Sequence, residues 1–259
     1  MKLAFLGTGN MGGALARAAA KVSENELYLV NRHQEKAELL RREIGGCVCD
    51  HDTAVREADM VFLGVKPYML SGLAETIHPA LAARSTPPLI ISMAAGKTAA
   101  QVQELLNPSV PVIRIMPNTP VAVEEGMTLY CCSPEVSSVM LETFLDSMRF
   151  AGRFLEIDES HMNAGMAISG CGPAYVDLFV EAMADAGVAC GLTRKDAVSL
   201  AAQMVLGSAK LILESGKHPG ELKDAVCSPG GTTIQGVRKL EEKGFRSAVI
   251  EAVLAAYKA

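Results

Sequence analysis

From Met1 to about Ile157, short apolar runs alternate with longer stretches whose apolar residues recur at helical spacing. The runs predict strands at Lys2–Gly7, Leu27–Asn31, Met60–Val65, Leu89–Ala94 and Val112–Met116, with a weaker strand at Cys47–Cys49. Met11–Lys21 and Gln34–Glu43 read as helices between them. Such alternation predicts a parallel sheet with helices on both faces. Met127–Cys132 and Arg153–Ile157, separated by a helix, complete the sheet at its edge.

After Asp158 nothing further reads as a strand. Ala174–Ala189 is apolar except for Asp177, Glu181 and Asp185, which fall on one stripe. Lys195–Glu214 follows the same design, with Ser199, Gln203, Lys210 and Glu214 on a narrow polar line. Helices apolar over most of their circumference must be buried. A segment of about a hundred residues cannot easily bury two of them within one subunit. The pattern therefore predicts two domains, 1–157 and 158–259, the second all-helical and dimerising. The alternative is that both helices pack against the first domain of their own chain.

Composition narrows the function. With 49% apolar and 20% charged residues the chain builds a real core and is not disordered. A net charge of −5 argues against a general nucleic-acid binder. The seven cysteines are odd in number and include no C-x-x-C pair, which disfavours a disulfide framework or a zinc site; no metal is expected. Met1-Lys2 leads directly into an apolar stretch ending at a glycine turn, so no signal peptide is expected. No apolar run approaches the roughly 20 residues of a membrane span, and a soluble, cytoplasmic protein is expected.

Gly7-Thr8-Gly9-Asn10-Met11-Gly12 follows a predicted strand and opens a predicted helix. This is the G-x-G-x-x-G arrangement of a Rossmann-type dinucleotide site: Gly7 permits the turn, Gly9 admits the pyrophosphate, and Gly12 lets helix and strand pack closely. The second strand ends in Asn31-Arg32-His33 rather than in an acidic residue. Arg32 suits a 2′-phosphate and Asn31 its oxygens, which predicts NADPH as cofactor, with NADH as a possible second donor. Val65-Lys66-Pro67, Ser92-Met93-Ala94-Ala95-Gly96 and Met116-Pro117-Asn118-Thr119-Pro120 sit at further strand ends, where ligands of open α/β sheets bind. Val65, Lys66, Pro67, Met93, Ala94, Ala95 and Asn118 are accordingly assigned to the cofactor wall.

Two later stretches carry candidate chemistry. In Ser169-Gly170-Cys171-Gly172-Pro173-Ala174-Tyr175, Pro173 suits the first turn of a helix. In Ser228-Pro229-Gly230-Gly231-Thr232-Thr233-Ile234-Gln235, the spacing from Thr232 to Gln235 is that of a capping box. Paired glycines before a helix turn several N–H groups toward one point, which suits a carboxylate.

Together V-K-P, S-M-A-A-G, M-P-N-T-P, S-G-C-G-P-A-Y and L-K-D-A-V-C-S-P-G-G-T-T-I-Q resemble the Δ1-pyrroline-5-carboxylate reductase family over nearly the whole chain. The resemblance implies reduction of a cyclic imine to L-proline by hydride from NAD(P)H, the last step of proline synthesis. It also implies a dimer joined through helical domains, in this family often assembled into larger rings. It places the substrate carboxylate on the loop of Ser228, Gly230, Gly231, Thr232 and Thr233, sets Thr233 at the ring nitrogen as the catalytic residue, and puts Glu159 at the substrate pocket. Cys171 stands where the family usually has serine, and His51 and Ala225 where some members have asparagine. Two other readings are a β-hydroxyacid dehydrogenase using Lys195 or Lys210, and a non-catalytic NADPH-binding redox sensor. No histidine triad or metal pattern competes with hydride transfer.

Overall fold

The structure, a computed structural model, describes residues 1–258. The apolar runs form β1 (Lys2–Leu6), β2 (Glu26–Val30), β3 (Cys47–Val48), β4 (Met60–Leu63), β5 (Leu89–Ser92), β6 (Val112–Met116), β7 (Met127–Cys132) and β8 (Arg153–Glu156). They make one sheet in the order β3-β2-β1-β4-β5-β6-β7-β8. β1 to β6 are mutually parallel, β7 runs antiparallel to β6, and β8 is parallel to β7. Several strands stop a residue or two before their apolar runs do. There the chain turns at the carboxyl edge, as at Gly7 with φ +109°.

Helices α1 (Asn10–Ala20), α2 (Gln34–Ile44), α3 (His51–Glu57), α4 (Leu70–Ala82), α5 (Ala99–Leu106) and α6 (Ser138–Ser147) connect the strands. Alternation along each strand divides the core in two. Phe5 and Phe62 stack at 4.4 Å on one face, within the cluster that holds Leu15 of α1 and Phe144 of α6. Leu6, Val61 and Leu63 point the other way, toward Ile77 of α4 and Val102 of α5.

The chain divides into two compact units, Met1–Gly170 and Cys171–Ala259. The first unit thus runs past the expected boundary at 157. Its last segment holds α7 (Met162–Gly165), which packs on the sheet: Met162 is fully buried with Met116, Leu129 and Cys131. Gly165 lies so close that a Cβ there would meet Leu129 Cδ1 at 2.3 Å. A π-helical turn, Met166–Gly170, ends the unit.

In the second unit α8 (Gly172–Ala189) and α9 (Arg194–Ser215) form a hairpin, turning at Gly191 with φ +96°. Pro173 occupies the first turn of α8. The two helices meet through small residues, and a Cβ on Gly187 would lie 2.9 Å from that of Ala197. α10 (Pro219–Ala225), α11 (Thr232–Glu242) and α12 (Phe245–Lys258) complete the unit. The Tyr175 hydroxyl of α8 donates to the Ala252 carbonyl of α12 at 3.3 Å. Only Ala184 of α8 and Ala197 and Ala201 of α9 are buried, while Leu178, Leu200, Leu206 and Leu213 are all more than half exposed. The apolar stripes read from the sequence are therefore left uncovered by a single chain. α9 is also long and apolar enough to cross a membrane by length and composition, contrary to the sequence expectation, because its polar residues are so sparse.

Candidate active site

The cleft at the carboxyl edge of the first unit measures about 740 Å³. Its floor is a stack of glycines. A Cβ on Gly12 would lie 2.1 Å from the Gly7 carbonyl oxygen, and one on Gly64, just after β4, would lie 2.3 Å from the same atom. Gly9 is the opposite case, since a Cβ there would meet nothing within 4 Å. No neighbour among the described residues requires a glycine there, and the open space lies at the N-terminus of α1, which has no side-chain cap. A pyrophosphate fits that space: free N–H groups and the positive end of the helix dipole converge on it.

The other sequence-assigned residues distribute unevenly. Asn10, Met11, Asn31, Arg32, Val65 and Lys66 line the cleft, as do Pro67, Met93 and Ala95. Thr8, Ala94 and Asn118 do not. Thr8 is buried, and its hydroxyl oxygen accepts from Asn31 Nδ2 at 2.9 Å, while Asn31 Oδ1 accepts from the His33 N–H. Asn31 therefore ties the glycine turn to the end of β2 instead of reaching freely for a phosphate. Ala94 packs into the core beneath the cleft. Asn118 is buried, its Nδ2 donating to the Ser169 carbonyl at 3.0 Å and its Oδ1 accepting from the Met127 N–H at 2.9 Å.

Arg32 is exposed at the cleft and, among the described residues, has no ion-pair partner. His33 and Lys36 line the same end. Lys36 was not among the assigned residues, nor were Gly64 and Tyr68. Lys36 lies in the first turn of α2, four residues after Arg32, and a second cation so near in sequence was the available signal. Gly64 directly follows an all-apolar strand, where a glycine marks close backbone approach.

Glu159 lies in the first unit, on a short turn before α7. Its Oε1 accepts from the Ala99 N–H at 2.8 Å and from Arg114 Nη1 at 3.1 Å. Arg114 is a buried cation in the middle of β6, opposite Cys131 on β7. Burial pushes the Cys131 thiol up to about 12, with the Glu159 carboxylate adding to the shift. The His51 imidazole, at the start of α3, is held below its ordinary value by burial.

In the second unit α11 begins at Thr232 with Gly231 as N-cap and no side-chain cap. The spacing from Thr232 to Gln235 is therefore not a capping box, because Thr232 is already helical. Gly230 adopts φ +70°, and the Gly231 N–H donates to the Ser228 carbonyl at 3.0 Å. The turn brings Ser228, Gly230, Gly231, Thr232 and Thr233 together at the helix entrance, with no acidic residue in its first turn. Thr232, Thr233 and Ile234 head the helix, where N–H groups have no intrahelical acceptor. Among the described residues there is no cluster of His, Cys, Asp and Glu fit for a metal ion.

Comparison with known proteins agrees with this two-part construction. Residues 159–259 match the family model described as pyrroline-5-carboxylate reductase dimerisation, and residues 2–96 match that of NADP oxidoreductase, coenzyme F420-dependent. The pyrroline-5-carboxylate reductase of Escherichia coli is 41% identical over 97% of this chain and 94% of its own. Among solved structures, the Plasmodium falciparum pyrroline carboxylate reductase with NADP bound is 32% identical, with a TM-score of 0.87 over 100% of this chain and 96% of that one. A Coxiella burnetii pyrroline-5-carboxylate reductase gives a TM-score of 0.89 at 32% identity, covering 99% and 96%. Identity of this extent over whole chains places the chain in the pyrroline-5-carboxylate reductase family.

Proposed function

We infer that this chain reduces Δ1-pyrroline-5-carboxylate to L-proline, taking a hydride from NADPH. When bound, NADPH supplies the hydride, and the imine nitrogen gains a proton as its carbon is reduced, leaving a secondary amine. The observation that carries the reading is the pairing of two features. One is the open space over Gly9 at an uncapped helix start, and the other is the Gly230-Gly231-Thr232-Thr233 entrance of α11.

The chain's own residues orient the partners more than they perform chemistry. A protonated imine is already electrophilic, so alignment supplies much of the rate. The turn over Gly7, Gly9 and Gly12 receives the pyrophosphate. Arg32, with Lys36 and His33 beside it, faces the 2′-phosphate and favours NADPH over NADH. The N–H groups heading α11 receive the substrate carboxylate, and the Thr233 hydroxyl holds the ring nitrogen and its proton. Thr233→Ala should lower kcat while leaving the NADPH dissociation constant nearly unchanged. An unchanged steady-state rate would contradict that role.

The uncovered leucines of α8 and α9 support a homodimer formed through the second unit. A cytoplasmic location is part of the same proposal. The overall reading is tested by following NADPH absorbance with pyrroline-5-carboxylate, then offering a hydroxyacid with NADP. Activity only in the second assay would favour a hydroxyacid dehydrogenase, and activity in neither would favour a binding protein.

A further inference from the structure

Two loops that wall the cofactor cleft are held from one short segment of chain. The loop after β5 supplies Met93 and Ala95 to the cleft, and the end of β6 with the loop that follows it supplies Met116 and Pro117. The first loop ends at Ala99, the first residue of α5, whose N–H has no acceptor within its own helix. Glu159 provides that acceptor from sixty residues away, at 2.8 Å. The same carboxylate oxygen accepts from Arg114, a buried cation on the strand that leads into the second loop. That second loop is held in turn by Asn118, whose amide donates to the Ser169 carbonyl in the π-helical turn.

We propose that Glu159 is a positioning residue for the cofactor wall rather than a substrate contact, latching the Met93–Ala95 loop through Ala99, with Asn118 latching the Met116–Pro117 loop in parallel. The carboxylate suits the task on two counts. It sits at the positive end of α5, and it neutralises the Arg114 guanidinium, which would otherwise be buried without a counter-charge. Arg114 Nε has no hydrogen-bond partner, so the Glu159 contact at Nη1 is its one ionic anchor among the described residues. This inference rests on the assignment of the cleft to NADPH.

The test is NADPH affinity in the absence of imine, read by fluorescence titration of the purified oligomer, alongside the imine KM. Glu159→Ala should weaken NADPH by about tenfold, the order expected for losing one charge-assisted hydrogen bond. Glu159→Gln keeps an oxygen for the Ala99 N–H and should recover most of the affinity. The double variant Glu159→Ala with Arg114→Leu removes the unpaired cation, and it should stay as weak as Glu159→Ala if the latch matters. Full recovery of NADPH affinity in the double variant would overturn the proposal, since the effect would then belong to Arg114 alone. So would native NADPH affinity in Glu159→Ala with a raised imine KM, the signature of a substrate contact. If Glu159→Ala does not fold, Glu159→Gln and the double variant carry the same comparison. Failure of the wild-type protein to bind NADPH at all would instead sink the assignment of the cleft.

Discussion

Gly9 and Gly64 both flank the cofactor cleft, yet a methyl group added at each should do opposite things. At Gly64 the new Cβ would lie 2.3 Å from the Gly7 carbonyl oxygen, where ordinary contact begins at 3.4 Å. Two backbone segments must separate by about 1 Å, and overpacking of that kind costs about 1–3 kcal/mol. At roughly 2–4 °C per kcal/mol for a domain of this size, Gly64→Ala should lower the melting temperature by roughly 2–12 °C. At Gly9 the backbone is extended, with φ −73° and ψ −164°, and nothing lies within 4 Å of the new atom. Gly9→Ala should therefore melt no lower than wild type. Restricting the unfolded chain should add about 0.4–1 kcal/mol of stability. Its methyl group nonetheless occupies the space assigned to the pyrophosphate. NADPH affinity should fall by about 5- to 150-fold, the equivalent of the same 1–3 kcal/mol overlap. The assays are thermal unfolding without ligand and NADPH titration on both variants. A Gly9→Ala protein that binds NADPH as tightly as wild type would refute the placement of the pyrophosphate over this turn.

Further outcomes follow from the same geometry. Arg32→Ala should reduce the preference for NADPH over NADH by about tenfold or more, with little change in the NADH constants, because only the 2′-phosphate loses a charge-assisted partner. Unaltered cofactor selectivity would remove Arg32 from that role. Leu206→Glu or Leu213→Glu places a charge on the uncovered face of α9 and should shift the assembly toward monomer in light scattering; an unchanged mass would move the interface elsewhere. Burial raises the Cys49 and Cys132 thiols to about 11 and Cys131 to about 12, from 9.0. A thiol whose pKa is raised by folding contributes stability below its unfolded value and loses it as pH climbs through the folded one. Unfolding free energy should accordingly fall between pH 9 and about 12, and replacing Cys131 by alanine should flatten part of that decline.

The sheet was legible because its runs are so consistently apolar. Val112–Met116 and Met127–Cys132 form with the expected bounds, and the neighbouring strands lose only the residues that turn into loops. Arg114 was passed over for the same reason: one charge inside V-I-R-I-M did not disturb the strand pattern. A buried strand cannot hold a lone cation, so the residue itself signalled a distant carboxylate, but spacing gave no way to choose Glu159. Asn118 and Asn31 were recognised as site residues from their place at strand ends. Their amides turn out to hold backbone and side-chain partners inside the protein, which depends on tertiary neighbours that no local pattern encodes. The entrance of α11 was found from its glycines, while the assigned capping box failed because Gly231, not Thr232, is the N-cap. The π-helical turn before α8 left no periodic signature in a stretch of five residues.

The central claim is that hydride passes from NADPH to the imine carbon of pyrroline-5-carboxylate. NADPH carrying deuterium at the transferable position, incubated with this protein and unlabelled imine, tests it most directly by mass spectrometry of the product. The account predicts proline one mass unit heavier, formed in step with NADPH consumed. Unlabelled proline, or NADPH oxidised without proline, would contradict it.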